Sequence, residues 1–280
     1  MLRRHLLQLA AIGIAAPRAV RAGAADGAAL PIFDAHVHYS HDAWEHVPPA
    51  TAVALVRQAG VKRALVSSSD DDGQQQLVAL APDVFLPSLR PYRRRGDQAH
   101  WTREPSVVTY LETRLARHRY VALGEFHIWG AEVDLPVPRR MIALAREHRL
   151  VLHSHSDADA IERQFALWPQ ARILWAHSGF EAPAQVQAML ARHRNLWCDL
   201  AFRSDHAPHG TLDPEWRALL LAHPDRFMVG SDTFTPERWP FIVEHARLAR
   251  RWLAELPRAA AEAIAYRNGE ALFADAIRSS

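Results

Sequence analysis

Eight apolar runs recur along the chain with amphipathic segments between them, and no other feature restricts the possible folds so much. The runs cover 31–38, 62–68, 84–89, 121–126, 150–155, 171–176, 195–200 and 226–231. Apolar positions at helical spacing fill 50–59, 106–118, 137–148, 157–167, 182–192 and 213–222. The helix that follows the eighth run is read over 236–253, and 257–273 adds a last one. Runs such as 173–176 are apolar on both faces, as parallel strands buried from both sides are. Eight β–α units on about 250 residues predict an α/β fold, a single-domain (β/α)8 TIM barrel over 31–275. A doubly wound open sheet uses the same alternation. It would not gather residues from strands one, four, five, six and eight around one point, which a closed barrel does at its C-terminal rim. The connection 90–105 is the longest without a clear period, and long loops at that rim shape substrate pockets.

The first run ends in Asp34-Ala35-His36-Val37-His38. Residues i and i+2 of a strand point to one face, so His36 and His38 project together and make half of a metal site. Other strands end in the same chemistry. Strand four ends in Glu125-Phe126-His127, strand five in His153-Ser154-His155, strand six at His177 and strand eight at Asp232. Seventeen histidines is a high count for 280 residues, and these strand tips account for much of it. Nitrogen and oxygen donors of this kind suit zinc, and also manganese, iron or nickel. His153 and His155 share a parity, and both can face inward. His41, His46 and His206 are expected to be polar loop histidines. The lone Cys198 lies in an apolar run, is expected to be a buried strand thiol, and excludes an intramolecular disulfide.

These strand ends, with the terminal 264–273 segment, resemble the amidohydrolase superfamily in its amidohydrolase 2 branch. The glutamate at strand four has a TatD-like flavour. The likeness spans about residues 31–275. It implies that His36, His38 and Asp232 hold one divalent metal. It further implies that His155 and His177 complete that site or hold a second ion bridged by Glu125, with His155 placed where the family's strand-five ligand falls. The expected cofactor is zinc, one or two ions. The implied chemistry is metal-activated water attacking the carbonyl of an ester, lactone or amide, with Asp232 moving the proton and a histidine such as His177 helping the oxyanion. A mononuclear decarboxylase of an aromatic or related carboxylic acid uses the same ligands and is the alternative. Arg90 and Tyr92 after strand three, His127 at strand four and Arg203 after strand seven are candidate substrate contacts. Trp129, Trp175 and Trp239 lie near strand ends or the loops that follow, where an indole can stack on a ring or simply pack.

Residues 1–24 form a separate unit. Arg3-Arg4, the apolar stretch 9–16 and Ala22-Gly23-Ala24 resemble a twin-arginine export signal, which implies passage through that machinery to the periplasm. The apolar stretch is too short to span a bilayer permanently. This segment also distorts the charge. It carries four arginines and no acid, so the formal net charge of +2 becomes about −2 for the remainder, with 29 basic against 31 acidic residues. Such a balance argues against nucleic-acid binding, and hence against a TatD-like nuclease. The expected partner is a small-molecule substrate. A periplasmic metal-binding protein without turnover is the reading from another class. Asp232 counts against it, since a pure binder needs no carboxylate beside an activated water.

Overall fold

The computed structural model describes residues 29–279. The twin-arginine-type segment lies outside them. Eight parallel strands follow one another in sheet order: β1 Ile32–His38, β2 Val61–Ser67, β3 Phe85–Leu89, β4 Ala122–Ile128, β5 Val151–Ser156, β6 Ile173–Trp175, β7 Leu196–Asp199 and β8 Phe227–Met228. Each is followed by a helix: α1 Pro49–Gln58, α2 Asp72–Leu80, α3 Ser106–Arg117, α4 Pro136–Glu147, α5 Ala158–Leu167, α6 Pro183–Arg192, α7 Pro214–Ala222 and α8 Ile242–Leu253. The architecture is that of a TIM barrel, nearly closed.

Local chemistry places the helix starts. Proline opens α1, α4, α6 and α7, where its missing N–H costs nothing. Asp157 caps α5 by accepting from Ala160 N at 2.8 Å, and Asp213 caps α7 through Glu215 N and Trp216 N. Packing then holds the helices. A buried side chain such as Leu111 or Ile161 stabilises by about 1.5–3 kcal/mol, which exceeds intrinsic helix preference. Helix α2 is not legible as an amphipathic stretch, because its buried face is Gly73, Gln74 and Leu77. Gln74 is there for hydrogen bonding. Its Oε1 accepts from Ser88 N at 2.9 Å and its amide donates to Asp71.

Two departures from the expected elements bear on the site. Strands β6 and β8 stop earlier than their apolar runs. After β6 the chain turns through Ala176–Phe180, with His177 at φ 55 and Ser178 at φ 50. After β8, Val229 to Thr233 leave the ladder and close the barrel against β1. Ala35 N donates to Val229 O at 2.8 Å and Asp232 N to His36 O at 2.7 Å. Asp34 Oδ1 accepts from Ser231 N at 3.0 Å, and Thr233 Oγ1 accepts from His38 N at 3.0 Å. Gly230 permits the approach, since a β-carbon there would lie 2.9 Å from His36 Cβ. The stretch 236–253 is likewise not one helix. Pro240 separates a 3-10 turn, Pro236–Phe241, from α8.

The barrel interior has an apolar floor and a polar top. Phe33, Ala35, Leu65, Leu86, Ala122, Val151, Leu174 and Met228 form one cluster, covered from below by Leu272 and Phe273. Phe33 and Phe273 stack at 5.7 Å. Register shifts between Asp34 and Val37 in β1, and between Gly124 and Phe126 in β4, change the inward parity above this floor. Thus Ala35 and then His36 and His38 can face inward on one strand, and Ala122 and then Glu125 and His127 on the other. A second, larger cluster packs the sheet against the helices and contains Cys198, fully buried in β7 as expected. Trp175 and Trp239 are also fully buried and are packing residues.

His206 is not a solvated loop histidine. It is 6% exposed and packs edge-on against Trp252 at 5.2 Å, and neither ring nitrogen has a hydrogen-bond partner. Burial lowers its pKa to about 4, despite the opposing Asp205 carboxylate. Below pH 6.5 the unfolded chain gains a proton that folded His206 refuses until about pH 4, so stability is lost as pH falls through that window. His206→Leu should therefore raise the melting temperature relative to the parent more at pH 5 than at pH 8. The extra gain should be up to about 2 kcal/mol in urea titrations. An equal gain at both pH values would assign the dependence to another group.

Candidate active site

The two histidines of β1 are fixed from below by side chains that accept or share their Nδ1 protons. His36 Nδ1 faces Asp199 Oδ2 at 3.1 Å, and His38 Nδ1 faces Ser67 Oγ at 2.8 Å. Their Nε2 atoms converge to 3.0 Å at the top of the barrel. Asp232, from the loop after β8, places Oδ1 3.3 Å from His38 Nε2 and 3.8 Å from His36 Nε2.

Glu125 lies at the centre. Gly124 allows β4 to press against β5, since a β-carbon there would meet His153 O at 2.1 Å. Oε1 of Glu125 is 2.8 Å from His155 Nδ1, 3.4 Å from His177 Nε2 and 3.5 Å from His36 Nε2. Oε2 is 3.2 Å from His38 Nε2. The six residues that the family likeness singles out for metal are thus brought into one cluster. The two histidines of β5 have different partners. His155 points to Glu125, while His153 lies one layer deeper with Nε2 3.1 Å from Asp199 Oδ2.

Asp199 is the residue that the strand-end reading passed over. It is the last residue of β7, in the same position as the other strand-tip ligands, and that position is the signal that could have found it. Its Oδ2 serves His36 and His153, and its Oδ1 accepts from His177 N at 2.9 Å and Ala201 N at 3.0 Å. Burial works against its charge, but the imidazoles of His36 and His153 hold its pKa far below the usual carboxylate range. Burial likewise opposes ionisation of Asp232 and Glu125. The His36 imidazole and the His38 hydrogen bond outweigh it for Asp232, at about 2, and the surrounding imidazoles outweigh it for Glu125.

The tautomers decide what the cluster can bind. Asp199 is an ionised acceptor, so His36 donates from Nδ1. Ala201 O is a carbonyl 2.8 Å from His177 Nδ1, so His177 also donates from Nδ1. In their neutral forms both rings therefore aim Nε2 lone pairs at a Glu125 oxygen. Lone pairs facing a carboxylate at 3.4–3.5 Å need a cation among them. A proton is one answer. Burial disfavours the His36 cation most, yet Asp199, Glu125 and Asp232 together raise its pKa well above the ordinary imidazole value. The pKa of His177 is raised as well, chiefly by Glu125 against burial. A divalent ion is the other answer. The ligand atoms of His36, His38 and Asp232 lie within 4.8 Å of one another, and so do those of His36, Glu125 and His177. This nitrogen and oxygen set fits zinc and its neighbours.

The cluster forms one wall of a cavity of about 410 Å³. Arg90, Tyr92 and His127 line it. Arg90 is not free, however. Its Nη2 is 3.3 Å from Glu125 Oε2 and its Nε donates to Glu125 O at 3.0 Å, so it steadies Glu125. Tyr92 Oη accepts from His127 N at 2.7 Å and meets His127 Nδ1 at 3.0 Å. Burial lowers the His127 pKa to about 3, leaving a neutral ring stacked 4.1 Å from His155. Arg203 does not line the cavity. It is buried against the Trp216 ring at 4.4 Å, pairs with Asp205, and donates to His177 O at 3.1 Å. Its role is to hold the turn that carries His177.

Residues 33–274 match the sequence profile of the amidohydrolase family. No curated protein sequence matches the chain. Among solved structures, an uncharacterised TIM-barrel protein from Bordetella bronchiseptica is similar with a TM-score of 0.61 at 14% identity, over 88% of this chain and 99% of that one. A putative 2-pyrone-4,6-dicarboxylic acid hydrolase from Pseudomonas putida gives 0.57 at 16% identity, over 88% and 98%. A β-aspartyl dipeptidase from Fervidobacterium islandicum gives 0.55 at 14% identity, over 88% and 73%. At these identities the structural likenesses speak for the shared barrel.

Carboxylates that orient metal-binding histidines are typically worth about 10–100-fold in metal affinity. Asp199→Asn should weaken Zn²⁺ binding by about that factor in a chelator competition titration, with the far-ultraviolet circular dichroism unchanged. Parental affinity in that variant would show that Asp199 does not set the His36 donor.

Proposed function

The chain belongs to the amidohydrolase family, and from that premise we propose that it is a metal-dependent hydrolase acting on the carbonyl of a small-molecule ester, lactone or amide. The observation that carries this reading is the pair of Nε2 lone pairs, from His36 and His177, aimed at one Glu125 oxygen beside Asp232. In this reading His36, His38 and Asp232 hold one zinc-like ion. Glu125, His155 and His177 complete its shell or hold a second.

A divalent ion bound there supplies Lewis acidity, which brings the pKa of a coordinated water toward about 7 and polarises a carbonyl. The protein's own groups do the rest. Asp232 is 5% exposed, on the cavity wall, and ionised at neutral pH. It is therefore a base placed to take a proton from attacking water and return it to the leaving group. His177, held by Ala201 O and Asp199, keeps Nε2 directed at the centre and helps to stabilise the tetrahedral oxyanion. Arg90 keeps Glu125 in place. Residues 1–24 extend the reading to a periplasmic enzyme. Replacing both Arg3 and Arg4 by lysine should then leave the protein in the cytoplasmic fraction of cells.

Metal content per chain and turnover of an ester and lactone panel test the reading together. Asp232→Asn should retain at least one ion and lose about 10²–10⁴-fold in kcat. Two ions in the parent, falling in Glu125→Gln, support the bridged site. One ion with carbon dioxide release from aromatic acids, and no hydrolysis, would replace this proposal by a decarboxylase. A folded protein that takes up no ion after reconstitution would remove its basis.

A further inference from the structure

Three phenylalanines stand half-exposed at the mouth of the cavity, which is where a folded protein has least reason to put them. Phe180, Phe202 and Phe234 are 49%, 50% and 45% exposed, and all three line the cavity that holds the histidine–carboxylate cluster. They come from the loops after β6, β7 and β8. Phe180 and Phe202 have φ values of 55 and 53, a backbone region that is unfavourable for a bulky side chain. Residues held in such conformations cluster at ligand-binding and active sites, where surrounding contacts enforce them. The apolar rings are thus held in the mouth at a cost in both solvation and backbone conformation.

The rings form an ordered series that begins at the catalytic centre. The His177 imidazole stacks on Phe180 at 4.6 Å with planes 18° apart. Phe180 meets Phe202 edge-to-face at 6.5 Å, and Phe202 meets Phe234 likewise at 5.6 Å. Arg238 fixes the outer pair. Its guanidinium lies 4.7 Å from the Phe202 ring centre and 5.3 Å from that of Phe234, while its Nη2 donates to Ser231 O at 2.9 Å in the loop that carries Asp232. The rest of the lining is more polar and includes Arg90, Arg95 and Gln98. The cavity therefore combines three aromatic rings with polar groups, and Glu125 and Asp232 line it as well.

We propose that this aromatic series is a substrate subsite that takes a planar aromatic group attached next to the reacting carbon. The inference rests on the cavity being the active site and adds the substrate class to that reading. Edge-to-face and offset contacts reward a flat π system over a saturated ring of the same size. The first ring lies against His177, so the bound group sits beside the centre and not at a remote surface. The concave position, within the cavity that holds the ligand cluster, favours a small molecule over a protein partner.

The test compares phenylacetate, cyclohexylacetate and acetate by ligand-detected NMR titration of the full chain, both metal-free and Zn²⁺-loaded. Phenylacetate should bind about three- to tenfold more tightly than cyclohexylacetate in both forms, and acetate most weakly. The double substitution Phe180→Leu with Phe202→Leu keeps apolar bulk and removes the ring faces. It should bring the first two ligands within about twofold of each other. No preference for the flat ring in the parent, binding of none of the three, or a preference that survives the double substitution overturns the proposal. So does concentration-dependent self-association that the substitutions abolish without any ring preference in the parent, which would assign the rings to a second copy. A ring preference that persists in protein showing neither Zn²⁺ uptake nor hydrolysis would keep the subsite and overturn the hydrolase reading instead.

Discussion

One buried carboxylate beneath the cavity orders the groups above it. Asp199 meets donors from β1, β5 and the turn after β6, as well as from its own strand's end. An ion in a fully buried position is tolerated only when its lone pairs are met, and here both oxygens are. The cost of burying it is offset by fixing several donors at once: the His36 tautomer, the His153 orientation and the backbone of the His177 turn. The donor directions of His36 and His177, and so the central position of Glu125, follow from that arrangement.

The barrel must also close at the strand pair that carries three of the proposed ligands. β8 is two residues long, and Asp232 lies beyond its end. The closure is instead made by backbone bonds beyond β8 and by the side chains of Asp34 and Thr233, with Gly230 granting the approach. Burial raises the Asp34 pKa to about 6, even with hydrogen bonds from Ser231 and His36 opposing it. Closure and site are therefore one construction. The residues that join the last strand to the first are those that bring Asp232 over His36 and His38.

Much of this was legible in the sequence, for a physical reason. Side chains at barrel strand tips sit where an apolar run ends, so the candidate ligands His36, His38, Glu125, His155, His177 and Asp232 are marked out by position. Asp199 obeys the same rule, but it follows Cys198 in an apolar run that reads as structural. The local bulges were not legible. A strict two-residue alternation puts Ala35 and His36 on opposite faces, yet the register shifts in β1 and β4 let an apolar floor and a polar top share one interior. Nor does sequence distinguish an arginine at a pocket from one beneath it. Arg90 and Arg203 both follow strands, but pairing with Glu125 and Asp205 gives each a structural task. Phe180, Phe202 and Phe234 look like core residues until their exposure, and the left-handed backbones of the first two, are seen.

The charge pattern explains how such a cluster remains stable when empty and ready when filled. Glu125, Asp232 and Asp199 remain ionised in the folded protein, which places three negative charges in a buried volume. Without a cation these charges bind protons instead, at His36 and His177, whose pKa values are raised for that reason. A divalent ion and the imidazole protons therefore compete for the same Nε2 lone pairs. Metal uptake releases protons, and affinity falls as pH is lowered. The carboxylates that these protons neutralise in the metal-free site are those that a divalent ion would meet in the proposed one. No rearrangement of the barrel is needed between the two, because the Nδ1 contacts to Asp199 and Ala201 are unaffected by which cation occupies the other side of the rings.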